Sequence, residues 1–299
     1  MMTFKTACKL TNETAREYLE KLRWPNGPVC PHCGSTEATK LQGKSTRPGV
    51  HKCKAKTCRK QFTVTVNTIF ADSHIELRLW IIAFSLMCSS KKGISALQLQ
   101  RMLGIGSYQT AWHLAHRIRH AMQNEPLRGL VAGTIEADET WIGARKRGGG
   151  KGLKVENKTA VAALIRREGG IRVRAIGRVN KANLRQFVDE MTDAKDSHLR
   201  TDGLPAYKSI GKRFKSHESV DHTSGEYARG DAHCNTAESF FALLKRGVHG
   251  TFHHVSKGHL HRYCDEFAFR WNHRKTTDGE RTEAAIRLAP GARLVYAAT

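Results

Sequence analysis

The chain has 299 residues, enough for one large domain or for two to three smaller ones, each with its own core. Lys and Arg number 50 against 27 acids, a formal net charge of +23, which exceeds what solubility needs and points to a polyanionic partner, nucleic acid first. No apolar run reaches the roughly 18 residues of a spanning helix. The N-terminus has no signal-peptide pattern, so no membrane partner is expected and the protein reads as soluble and cytoplasmic.

Residues 11–23 (TNETAREYLEKLR) carry polar starters, early acids, late bases and apolar positions at helical spacing, which predicts a short helix. After the turn Trp24-Pro25-Asn26-Gly27-Pro28 the composition changes. Between Lys40 and Lys60 there are eight basic and no acidic residues, as in a small loop-rich module. Within it, Cys30-Pro-His-Cys33 and Cys53-x4-Cys58 form two close pairs separated by 19 residues, a spacing that lets two tight turns converge on one tetrahedral Zn²⁺. Gly34 follows the first pair, where such a turn favours a residue tolerant of positive φ. The four residues inside the second pair, instead of two, leave its turn geometry open, and His32 reads as a bystander. A module this small has little core, so the metal is expected to supply its folding energy. Cys8, Cys88, Cys234 and Cys264 have no paired spacing and read as small apolar residues.

Residues 75–90, 94–103 and 107–122 read as three helices, the last two separated by Gly104-Ile105-Gly106, the pattern of a helix-turn-helix. Leu97, Met102, Leu103 and Ile105 are expected to pack against Trp112, Leu114 or Ala115, and Ile118. The last helix would then expose Tyr108, Gln109, Thr110, His113, Arg117 and His120, a mix of side chains suited to a DNA groove with phosphates on its rim. Any three-helix packing unit could give the same pattern.

Beyond Pro126 the chemistry turns to strands: 133–142, then 159–166 and 172–179 as a hairpin, a helix over 181–191, a short strand 198–202 and a short helix 204–210. Helices follow over 235–246 and 260–273. The whole describes a mixed α/β domain. The Gly- and Lys-rich segment 144–158 reads as a surface loop, with Lys146, Arg147 and Lys151 as candidate phosphate contacts alongside Arg246. Six histidines between His249 and His273 read as a basic DNA-facing surface before a second metal site, since no clean ligand spacing is present. Trp141 reads as core.

Three acids stand out by their settings. Asp138 sits in an apolar strand that has no structural use for a carboxylate; Glu136 shares its strand face and Glu139 lies opposite. Asp202 falls where a strand gives way to a turn, and Glu238 lies one turn into a helix, with 35 residues between the two. Three carboxylates from two strands and a helix can hold two Mg²⁺ ions through oxygen ligands, the arrangement for in-line phosphodiester displacement. Lys245, seven residues after Glu238, falls on nearly the same helix face and can hold a phosphate. Asn235 shares that face.

The run His233-Cys-Asn-Thr-Ala-Glu238-Ser-Phe-Phe-Ala-Leu-Leu-Lys245-Arg-Gly-Val-His-Gly-Thr-Phe-His-His254, with Glu136-Ala-Asp138-Glu-Thr-Trp-Ile-Gly143 and Thr201-Asp202-Gly203, resembles the DDE-type insertion-sequence transposases that carry an N-terminal zinc ribbon. The resemblance spans nearly the whole chain. It implies three parts: an N-terminal helix and zinc ribbon (1–66), a helix-turn-helix-like region (67–127) and an RNase H-like catalytic domain (128–299). It further implies Asp138, Asp202, Glu238 and Lys245 as the catalytic positions, Mg²⁺ or Mn²⁺ beside Zn²⁺ as cofactors, and cleavage and strand transfer at inverted-repeat ends and target DNA. A homodimer or larger assembly, in a bacterial, nucleoid-associated cytoplasmic setting, completes the expectation. Since family members differ at the third acidic position, Asn235 stays open as a minor contributor. The rival readings are a transcription regulator, a structural nucleic-acid-binding protein and an RNase H-like nuclease that cuts without joining.

Overall fold

The computed structural model describes residues 2–43, 45–123, 131–143, 158–167, 169–220, 229–230 and 233–294. By packing, the chain divides into two units, Met1–Glu125 with Lys275–Thr299, and Pro126–Arg274.

In the first unit, α1 (Phe4–Cys8) leads into α2 (Asn12–Arg23). Thr11 and Thr14 cap α2 reciprocally, and Ala15 and Leu19 turn inward. The ribbon is a three-stranded antiparallel sheet, β1 (Ala38–Lys40), β2 (His51–Cys53) and β3 (Gln61–Phe62), in that order. Its strands are so short that one aromatic cluster makes most of its core. His51 stacks on Phe62 at 5.6 Å, and Trp24 meets both edge-on at 5.4 and 5.7 Å.

The largely buried α3 (Leu77–Ser89) is followed by α4 (Ala96–Leu103) and α5 (Tyr108–Gln123). Ser95 caps the start of α4 and Gly104, at φ 65°, ends it in the left-handed conformation that a side chain would disfavour. One packing expectation fails here. Leu99 and Leu103 are buried, whereas Leu97 and Met102 are half exposed. Leu97 and Leu99 lie about 200° apart on a helix, so only one of them can face inward. The sheet domain expected over 128–299 ends earlier in the structure: α10 (Asp278–Arg287) packs on α3 and α2 of the first unit. Arg281 donates to the Cys88 carbonyl at 3.0 Å and Arg287 to that of Leu22 at 3.1 Å, while Thr68 and Pro290 form a β-bridge.

The second unit is a five-stranded mixed sheet in the order β6-β5-β4-β7-β8: β4 (Val131–Ile142), β5 (Thr159–Arg166), β6 (Ile171–Ile176), β7 (Thr192–Asp202) and β8 (Ser216–Val220). The pairs β4–β5 and β5–β6 are antiparallel, and β4–β7 and β7–β8 are parallel. Helices cover both faces. On one, Leu184, Phe187 and Val188 of α6 (Lys181–Met191), with Tyr207 and Ile210 of α7 (Pro205–Gly211), meet Ile135, Ala137, Ala160, Ala162 and Leu164. On the other, α8 (Asn235–Gly247) and α9 (Leu260–Asn272) meet Ile142, Val161, Ala163 and Ile165. This double covering is why β5 reads as an unbroken apolar run, both of its alternating faces being buried. A π-helical turn, Val248–Phe252, follows α8.

Candidate functional site

Two groups of side chains among the described residues have metal-binding geometry. The first is Cys30, Cys33, Cys53 and Cys58, whose sulfurs lie within 4.8 Å of one another. The sulfurs of Cys30 and Cys58 are 3.8 Å apart, those of Cys33 and Cys53 3.6 Å. A tetrahedral site with zinc–sulfur bonds of about 2.3 Å has sulfur–sulfur edges of about 3.8 Å, so the four thiols fit Zn²⁺.

The long second pair has a simple cause. In the first turn the Gly34 amide donates to the Cys30 carbonyl, with Gly34 at φ +77°. In the second the Arg59 amide donates to the Ala55 carbonyl, with Arg59 at φ 51°. Ala55 thus occupies the turn position that Cys30 has in the first, and the fourth sulfur comes from Cys53, two residues back at the end of β2. His32 is exposed and outside the cluster.

The second group is Asp138, Glu139 and Asp202, each offering an oxygen within 4.8 Å of the others. The parallel register of β4 and β7 runs to Ala137↔Thr201, so Asp138 and Asp202 come next on adjacent strands. They lie just where the parallel pairing of β4 and β7 ends, Asp202 being the last residue of β7. An Asp138 oxygen accepts the Glu139 amide at 2.7 Å and an Asp202 oxygen that of Leu204 at 3.2 Å, which fixes both carboxylates.

Glu139 is the member that strand alternation assigns to the opposite face. Its side chain does meet that face, where the Tyr207 hydroxyl of α7 donates to it. At the sheet margin the long side chain nevertheless brings an oxygen to the two aspartates. Burial raises the Glu139 carboxyl to about 8; the Tyr207 hydrogen bond opposes the rise, and the charges of Asp202 and Asp138 add to it. Three carboxyls this close cannot all ionise cheaply without a proton or a cation among them. The only signal for Glu139 in the sequence is a second acid beside Asp138 in an apolar strand.

Glu238 and Lys245 are exposed on α8, and Glu238 is outside the close group of oxygens. The two are separated by about 10 Å of helix rise on one face. Burial, then the charges of Asp138, Glu136, Asp202 and Glu238, push the Cys234 thiol up. All four carboxylates therefore act on one buried sulfur at the start of α8. Asn235 and Arg246 are exposed as well.

Of the candidate DNA contacts, Tyr108, Gln109 and Thr110 are exposed on the first turn of α5. His113 is partly covered, its pKa lowered by burial and by the charge of Arg117. Arg117 donates to the carbonyls of Ile69 at 3.2 Å and Ala71 at 3.0 Å, so its guanidinium ties down a backbone segment. Lys146, Arg147 and Lys151 lie outside the described residues. Trp141, expected in the core, is 38% exposed. Among the described residues the histidines of 249–273 form no metal-binding group, and no helix is long and apolar enough to cross a membrane.

Residues 130–272 match the ISXO2-like transposase domain and residues 10–61 the transposase zinc-ribbon domain. Over 288 residues the chain is 28% identical to a protein of Halobacterium salinarum described as an uncharacterized protein in transposable element ISH50, covering 90% of this chain and 93% of that one.

Proposed function

We propose that the chain, which matches the ISXO2-like transposase domain and the transposase zinc-ribbon domain, is an insertion-sequence transposase that binds the inverted-repeat ends of its element and cuts and joins DNA strands in a divalent-metal-dependent reaction. The observation that carries the reading is the convergence of Asp138 and Asp202, on neighbouring parallel strands inside the transposase domain, to within 4.8 Å with Glu139. We read the mixed sheet covered by helices on both faces as RNase H-like, and α4–α5 as a helix-turn-helix that follows the ribbon.

In this reading Asp138 and Asp202, with Glu238 from α8, hold Mg²⁺ or Mn²⁺, and the all-oxygen donor set suits such hard cations. Bound there, the ions supply Lewis acidity for an attacking water or 3′-hydroxyl and for the leaving oxygen of an in-line displacement. Lys245, on the Glu238 face of α8, holds a neighbouring phosphate, and Arg246 and the basic residues Lys146, Arg147 and Lys151 extend that contact along the backbone. Tyr207 fixes Glu139 beside the two aspartates. Tyr108, Gln109 and Thr110 present the first turn of α5 to base edges, with His113 at its margin. Synapsis of two ends calls for a homodimer or larger assembly.

The test uses a duplex carrying the inverted repeats that flank the gene. Asp138→Ala, Asp202→Ala and Glu238→Ala are each expected to abolish Mg²⁺-dependent cleavage while end binding in a gel-shift assay survives. Full cleavage by one of them would remove that residue from the site.

A further inference from the structure

Glu136 is a carboxylate in the middle of the sheet, on the central strand β4, opposite Ile165 of β5 and Arg200 of β7. It is fully buried. A charge in that position is costly unless its oxygens are bonded, and here three hydrogen bonds come from the start of α8 and a further one from Arg167. One oxygen accepts the backbone N–H of Thr236 at 2.8 Å and that of Ala237 at 3.1 Å. The other accepts the Thr236 hydroxyl at 2.9 Å and the Arg167 guanidinium at 2.7 Å. Arg167 in turn donates to the carbonyl of His233 at 3.0 Å, one residue before the helix cap. Cys234, in the cap position, makes no side-chain hydrogen bond to the helix. The cap of α8 is therefore supplied by a strand about 100 residues earlier in the chain, and its negative charge also complements the helix dipole.

The placement has a functional meaning. Asp138 is two residues along from Glu136 and shares its strand face. Glu238 follows directly on Ala237, whose N–H Glu136 binds. One side chain thus references the helix that carries the third acid to the strand that carries the first. We infer that Glu136 is a positioning residue for the metal centre: it sets where Glu238 stands relative to Asp138, and it touches neither metal nor DNA. The inference rests on the reading of Glu238 as a metal-holding carboxylate.

Glu136→Gln keeps the shape but removes the charge, and it turns an amide donor toward Arg167 or the Thr236 hydroxyl. Changes to groups that orient metal ligands lower metal affinity by roughly ten- to a hundred-fold. The experiment is a calorimetric titration of the full chain with Mn²⁺, together with the affinity for the duplex of flanking repeats, for wild type, Glu136→Gln, Glu238→Ala and the double variant. Glu136→Gln is expected to weaken Mn²⁺ binding in that range and to leave duplex affinity unchanged, and the double variant to be no weaker than Glu238→Ala alone.

Wild-type Mn²⁺ affinity in Glu136→Gln beside a weakened Glu238→Ala overturns the inference and leaves the reading of Glu238 standing. Wild-type affinity in Glu238→Ala removes the reading itself. Equal losses of Mn²⁺ and duplex affinity in Glu136→Gln mean a purely structural role and also overturn the inference. If that variant does not fold, Thr236→Val, which removes only the hydroxyl donor, is expected to shift Mn²⁺ affinity in the same direction by less, and an unshifted value overturns the inference.

Discussion

Asp265 lies in α9, which packs beside α8, and burial raises its carboxyl from 3.8 to about 7 against the opposing charge of Arg262. One of its oxygens is buried without a hydrogen-bond partner among the described residues. The folded state thus holds a proton that the unfolded chain releases near pH 3.8, so stability falls as pH rises from about 4 to about 7 and is level above that. Three pKa units at about 1.4 kcal/mol each give about 4 kcal/mol. Because the side chain is only part-covered, roughly 2–4 kcal/mol is the reasonable range. Asp265→Asn removes this cost, so its stability advantage should be near zero at pH 4 and complete above pH 8. For a unit of this size that corresponds to a melting temperature higher by roughly 5–15 °C at pH 9. Paired denaturation curves of wild type and variant across pH measure it. An advantage independent of pH, or a variant less stable at pH 9, would refute the reasoning.

Removal of zinc by a chelator, or Cys58→Ser, should unfold the ribbon and leave the second unit folded, because structural zinc supplies about 10–16 kcal/mol, as much as a whole domain's stability. Circular dichroism with a zinc-release assay reports this, and a ribbon that keeps its near-ultraviolet signal without metal would contradict it. Arg117→Ala should cost about 1–3 kcal/mol of stability through its two carbonyl bonds, whereas Gln109→Ala should alter base discrimination with an unchanged melting curve; thermal melts and binding to a panel of duplexes separate the two.

Much of this architecture is legible in residue order, for identifiable reasons. The unbroken apolar run of β5, the amphipathic α8 and the two cysteine pairs each follow from a local pattern. What was missed is polar or held from afar. The strand β8, Ser-His-Glu-Ser-Val, shows no apolar alternation; it is an edge strand, held by Arg200 to Glu218 at 3.1 Å and Thr201 to His217 at 2.9 Å. The first half of β7, Thr192-Asp-Ala-Lys-Asp-Ser197, is unreadable for the same reason. The helix α10 buries only a narrow face, Gly279, Thr282, Ala285 and Ile286, although the Thr277–Glu280 capping box was a usable signal for it. At the site, Asp138 and Asp202 could be paired from their strand settings. Glu139 could not, because alternation assigns it to the other face, and neither could Glu136, whose partners lie about 100 residues away.

The most direct measurement is a strand-transfer assay in which wild-type protein, Mg²⁺, a supercoiled plasmid and a duplex bearing the flanking repeats are incubated together. The account predicts duplex ends covalently joined to plasmid with wild-type protein and no joined product with Asp202→Ala. Cleavage without joining by the wild type, or joined product from the Asp202 variant, would contradict it.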